Sequence, residues 1–133
     1  MHKVFVYGTL LSGMGNNRLL KNSSLLGKAV TTDSHYLMIN LGWFPGVIED
    51  LDGIKINGEV YEVDDDTLTS LDHLEGYNST NPTSGLYNRK TIDTNFGKAI
   101  IYIYNNRRTY HPSSVIKNGD WRSYYESLKN SIK

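Results

Sequence analysis

Residues 58–78 read GEVYEVDDDTLTSLDHLEGYN, and within this stretch the apolar residues change their spacing from two to about 3.6. With the preceding DGIKIN, the first half alternates through Ile54, Ile56, Val60 and Tyr61. That pattern predicts a hairpin or bent strand with Gly58 near a bulge or turn. The second half predicts a helix. Asp64 to Asp66 offer an N-cap and negative charge at its start, where unpaired N–H groups favour both. Leu68, Leu71 and Leu74 make its apolar stripe, and Gly76 stands where a left-handed terminator is common.

Outward from this segment the chain is mostly strand. KVFVY at 3–7 is β-branched and aromatic, and runs into a glycine-punctuated loop, GTLLSGMGNN. NNRLLKN suggests a short helix. LLGKAVTT, HYLMIN and FPGVIED read as strands separated by Gly, Asn and Ser signals. LYNRKTID and KAIIYIYNN form two more, joined by a turn around NFG. In the tail, Asn118-Gly119 marks a turn before a short helix carrying Trp121, Tyr124 and Leu128. Many short strands with one or two helices, and no strict strand–helix alternation, predict an α+β domain with a curled or barrel-like sheet.

The chain has 133 residues, 14 basic and 14 acidic side chains and no cysteine. One domain spanning 1–133 is expected. The charge balance gives no electrostatic reason for nucleic acid or an anionic membrane as partner. The lack of cysteine excludes disulfides, thiolate metal sites and thiol nucleophiles. MHKVFVYGTL lacks the features of a signal peptide, and no apolar run is long enough to span a bilayer. A cytoplasmic protein is the expectation.

Glu75 interrupts the helical pattern. At about 100° per residue it returns to within roughly 20° of Leu68 and falls inside the leucine arc. His73 and Thr69 project elsewhere, toward solvent. A carboxyl on that arc would be desolvated, and the negative end of the helix dipole would disfavour its charge further. Both effects raise its pKa toward the range of a general base or acid. Alternatively, the side chain bends out to solvent or pairs with Arg89 or Lys90; the residues leave both readings open.

A second feature is VYGTLLSG, a strand entering a loop opened by Gly8. Such a turn can gather main-chain N–H groups into an anion-binding nest. The lysine and hydroxyl residue of a triphosphate-binding loop are missing, and so is the GxGxxG spacing. A carboxylate suits this short loop better. Taken alone, an ordinary tight turn is the better reading of this loop.

Taken together, VFVYGTL (4–10), GEVYEVDDDTLTSLDHLEGYN (58–78) and GLYNRKTI (85–92) closely resemble the γ-glutamylcyclotransferase-like family, in particular its small members, among them the γ-glutamylamine cyclotransferases. FPGVI, AIIYIY and NGDW extend the likeness over most of the chain. YGTL combined with LDxLEGY is far more specific than either half. The resemblance implies a small mixed β-barrel flanked by short helices, with a cavity at one end. It implies that Tyr7, Gly8, Thr9 and Leu10 bind substrate and that Glu75 is the catalytic acid. It further implies a cytoplasmic enzyme that cyclises a γ-glutamyl amine or peptide to 5-oxoproline and frees the amine, with no metal or redox cofactor.

Weaker candidates surround these. Tyr87 could place its hydroxyl in the cavity, though a strand tyrosine is more often wall than ligand. Arg89 alternates to the same face, to pair with Glu75, meet substrate or stand exposed; and Trp43, Phe44 and Pro45 could form a rim. His2, His35, His73 and His111 show no metal-ligand spacing. Two other functions stay open: a non-catalytic module holding a small metabolite in the same cavity, and an interaction protein using its tyrosines and the WRSYYESL helix. The amine half of the substrate and the oligomeric state are not written in the residues.

Overall fold

The computed structural model describes residues 1–106 and 110–131. Its elements run β1 (His2–Val6), β2 (Ser24–Val30), β3 (Tyr36–Asn40), β4 (Pro45–Glu49), β5 (Asn57–Val63), α1 (Asp65–Glu75), β6 (Tyr87–Thr94), β7 (Gly97–Tyr104) and α2 (Trp121–Ser131). Short 3₁₀ turns lie at Asn17–Leu20 and Pro112–Ser114. The main sheet has the order β2-β5-β1-β7-β6, and β3 and β4 form a separate two-stranded ribbon. β1 runs parallel to β7, while the other pairs are antiparallel.

The first strand occupies the middle of the sheet because its VFV run is apolar on both faces. Val4, Phe5 and Val6 are all buried, as a strand covered on both sides requires. β1 therefore delivers the loop that follows it, from Tyr7 onward, to the end of the sheet with little freedom. β5 pairs with β1 and passes directly into α1. Asp64 caps that helix by accepting the Thr67 N–H at 2.8 Å, and Gly76 ends it in the left-handed region at φ 68°.

The sheet is curled but not closed, which corrects the expected barrel. Its two edges touch at one bridge, Thr31 to Thr94. Beside it the side chain of Asn95 stands in for a strand. It accepts the Val30 N–H at 2.9 Å and donates to the Lys28 carbonyl at 3.3 Å. Groups on the β2 edge that would have paired with β6 are thus satisfied by a turn residue, and the ladder stops.

Three local expectations change. Gly58 lies within β5, where a Cβ would come 2.2 Å from the Val6 carbonyl oxygen; the bulge occurs instead in β2, between Leu25 and Gly27. Leu74 is not core but 40 % exposed, in the last turn of a helix that ends at Glu75. Leu128 is also exposed, whereas Trp121 and Tyr124 pack against the core. Among the described residues no helix is long and apolar enough to cross a membrane.

Candidate active site

Four segments meet around a cavity of about 310 Å³ at the C-terminal end of β1. The loop after β1 contributes Tyr7, Gly8, Thr9 and Leu10, with Asn16 from its return. The end of α1 contributes Leu74 and Glu75. The turn between β3 and β4 adds Trp43 and Phe44, with Pro45 at the start of β4; Leu86 comes from just before β6, and the sheet adds Tyr87 and Tyr102. All six residues singled out for substrate or catalysis in the sequence therefore line one hollow, as do the three aromatic and proline residues expected at its rim.

Glycines bring these segments together. A Cβ on Gly8 would stand 2.7 Å from Cδ and Cγ of Pro45, so the residue lets the first loop press against the β3–β4 turn. A Cβ on Gly85 would fall 1.8 Å from the carbonyl oxygen of Gly76. The end of α1 and the start of β6 touch main chain to main chain there, which sets Glu75 beside Tyr87. The loop's own hydrogen bonds run from the Leu11 N–H to the Gly8 carbonyl (3.0 Å) and from the Asn16 N–H to the Thr9 carbonyl (2.9 Å). The Asn16 amide also donates to Thr9 Oγ1 at 2.8 Å. These bonds do not engage the N–H groups of Gly8, Thr9 or Leu10.

Glu75 is the acid of the cavity. Among the described residues its carboxyl accepts no hydrogen bond and joins no ion pair. The partners it might have taken are engaged elsewhere: Arg89 Nη1 is 2.6 Å from Asp72 Oδ2, and Lys90 pairs with Glu49. Burial alone raises its pKa from the ordinary 4.5 to about 7, since the protein walls replace the water that would solvate its charge. The residue remains partly exposed through the cavity. Contact with substrate is thus open to it.

The tyrosines are differently disposed. Tyr7 donates its hydroxyl to the Tyr102 carbonyl at 2.7 Å, and Tyr87 donates to the Pro45 carbonyl at 2.7 Å. Tyr102 donates to Asp72 Oδ1 at 2.7 Å. The Tyr87 hydroxyl is therefore committed to main chain, and the residue serves as cavity wall. Burial, first of all, raises the pKa of all three phenols, and the nearby charge of Glu75 adds to the rise. They stay protonated at neutral pH and leave Glu75 as the group able to exchange a proton there. Arg89, half-buried over the Tyr77 ring at 4.8 Å, is held by Asp72 and makes no contact with Glu75.

A second cluster, absent from the sequence reading, fixes the loop from behind. Glu59 on β5 is only 6 % exposed. It accepts the Ser12 N–H at 2.7 Å and the Ser12 hydroxyl at 2.8 Å. Arg122 of α2 donates to the Ser12 carbonyl at 2.7 Å and to Glu59 Oε2 at 3.3 Å. Asp72 stands inside LDxLEGY, Glu59 inside GEVYEV and Tyr102 inside AIIYIY, but none of the three was singled out as a residue of the site.

A family model described as "Gamma-glutamyl cyclotransferase, AIG2-like" matches residues 4–123. A Vibrio cholerae protein named "Putative gamma-glutamylcyclotransferase" is 44% identical over 120 residues, covering 90% of this chain and 95% of its own. The Escherichia coli "Gamma-glutamylcyclotransferase family protein YtfP" is 34% identical over 119 residues, covering 90% and 95%. Among solved structures, an uncharacterised protein of Pyrococcus horikoshii superposes with a TM-score of 0.77 over 98% of both chains. At 23% identity that last likeness speaks for the fold alone.

Proposed function

This chain belongs to the γ-glutamyl cyclotransferase, AIG2-like family, a family of cyclising enzymes, and we propose that it converts a γ-glutamyl amine or peptide to 5-oxoproline and the free amine, with Glu75 carrying the proton. The observation that carries this reading is a desolvated carboxyl without a partner, set across a small cavity from a loop with uncommitted main-chain N–H groups.

The substrate's α-carboxylate lies on the N–H groups of Gly8, Thr9 and Leu10. Its α-ammonium points at Glu75. Ionised Glu75 removes one proton from that ammonium, and the freed nitrogen pair attacks the γ-carbonyl carbon. A new C–N bond closes the five-membered ring, and the carbonyl π pair moves onto oxygen. As the carbonyl reforms, the bond to the leaving amine breaks and Glu75 returns its proton to the departing nitrogen. The ring nitrogen, which still carries two protons, then gives one up through the ionised Glu75 to the free amine, which leaves as its ammonium. Acid and base are one group, and a pKa near neutrality suits both halves of the cycle. Because nucleophile and electrophile belong to one molecule, the protein's remaining task is to hold the folded conformer. The walls formed by Tyr7 and Tyr87, rigid through their main-chain hydrogen bonds, serve that task.

Incubation with γ-glutamyl amides and dipeptides, followed by mass spectrometry for 5-oxoproline, tests the reaction. Glu75→Gln should lower the rate by about 10²- to 10⁴-fold with the fold intact. Tight binding without product would point to a holding module instead, and an unchanged rate in the variant would remove Glu75 from the chemistry.

A further inference from the structure

Three residues on the cavity wall keep large apolar side chains in water. Trp43 is 92 % exposed, Leu86 47 % and Leu74 40 %, yet all three line the same hollow as Glu75. Isolated apolar residues on a surface are ordinary. Three from separate segments converging on one cavity make a contiguous patch, which marks a place where something binds.

The patch is rigidly presented. Trp43 sits in the β3–β4 turn, closed by the Leu41 N–H donating to the Phe44 carbonyl at 2.9 Å. Asn40 accepts the Gly42 N–H at 2.9 Å and donates to the Tyr124 hydroxyl of α2 at 2.9 Å. Phe44 packs against the core beside it, and Pro45 is wedged against Gly8. The backbone that carries the exposed tryptophan is thus braced on both sides.

The charges decide what kind of ligand. The cavity lining includes Glu75 but no lysine, arginine or histidine, and no second carboxylate. The glutamyl half of a substrate uses Glu75 and the first loop. Its amine half is left with apolar walls. A second ammonium or carboxylate there would lose water without gaining a partner, and one solvent-exposed indole compensates an ammonium poorly.

We propose that Trp43, Leu74 and Leu86 form a subsite for the leaving amine, selecting γ-glutamyl amides whose amine half is neutral and apolar over those whose amine half carries a charge. This rests on the cyclotransferase reading and adds to it the class of amine released.

Four probes test it: γ-glutamyl-benzylamide, γ-glutamyl-pentylamide, γ-glutamyl-cadaverine and γ-glutamyl-5-aminopentanoate, the last three matched in chain length. The neutral pair should exceed the charged pair by roughly tenfold or more in kcat/KM, mostly through KM. Trp43→Ala should raise KM for the neutral pair and bring all four to within about twofold, while Trp43→Phe keeps the preference. Equal rates in the wild-type protein, an order led by a charged probe, or a uniform loss in Trp43→Ala would overturn the subsite. If no probe is cyclised, the proposed reaction fails, and binding then decides the subsite. Of the two tryptophans, Trp121 is 3 % exposed and Trp43 lies in water, so a blue shift of emission reports cover over Trp43. A shift with benzylamide and pentylamide, but not with the charged pair, upholds the subsite. Its absence, or a shift with the charged pair as large, sinks it.

Discussion

Asp72 and Glu75 stand one turn apart on α1, and the protein neutralises only the first. Asp72 accepts from Tyr102 at 2.7 Å and from Arg89 at 2.6 Å, while Glu75 faces the cavity and, among the described residues, joins no ion pair. The ion pair that could have quenched Glu75 is spent three residues earlier. A strand cation drawn one turn further along would hold Glu75 ionised and remove its use as an acid.

The first consequence is a pH profile. Glu75 must be ionised to take a proton, and its pKa is raised to about 7. The acid limb of kcat/KM should therefore bend near neutrality, falling about tenfold per pH unit below that point. A limb bending near the ordinary carboxyl value instead would show that burial does not govern this group.

Stability should move the other way with pH. Below the ordinary value of 4.5 the carboxyl is protonated in both folded and unfolded chains. As pH rises, the unfolded chain ionises first, while the folded one holds its proton until about 7. Stability is therefore present at low pH and lost through this window. Glu75→Gln should leave stability nearly unchanged at pH 4 and add about 1–3 kcal/mol at pH 8, the range reflecting partial screening through the cavity. Urea unfolding at the two pH values checks this.

Glu59 is the anchor to remove. Glu59→Ala strips Ser12 of two acceptors and leaves Arg122 facing a buried void. A cost of about 2–3 kcal/mol is expected, below that of a fully buried pair because Arg122 is partly solvated. The loosened loop should raise KM more than it lowers kcat. Glu59→Gln retains an acceptor for the Ser12 N–H and should recover part of both.

Gly8→Ala places a methyl 2.7 Å from the Pro45 ring. Either the loop or the β3–β4 turn must shift, at about 1–3 kcal/mol. Because both walls belong to the cavity, activity should fall well beyond what the loss of stability explains. Near wild-type kcat/KM in this variant would show that the contact between the two turns is dispensable.

What the residues revealed in advance follows a physical divide. The α1 boundaries, its cap at Asp64 and its stop at Gly76 were legible because each depends on neighbours within a few positions. Helical geometry placed Glu75 on the leucine arc but left a turn out to solvent or an ion pair open; the likeness to a family singled it out. Tyr7 to Leu10 and Glu75 were paired through the likeness to a family, which no local rule supplies. Tyr102 and Asp72 lie 30 positions apart, and Ser12 and Arg122 lie 110 apart. No periodicity spans such distances. That the sheet stays open, where a barrel was expected, was missed for a related reason: Asn95 substitutes for a strand at an edge 65 positions away.

The Ser12–Glu59–Arg122 knot also bears on the chain's birth. Synthesis proceeds from the N-terminus, so the glycine loop leaves the ribosome long before the arginine that ties it down, and β1 waits likewise for both of its sheet neighbours. A nascent chain still lacking α2 would hold Ser12 through Glu59 alone. The arginine arrives only after every residue of the cavity lining has emerged, so a message cut short upstream of Arg122 should yield a product whose first loop is held less firmly.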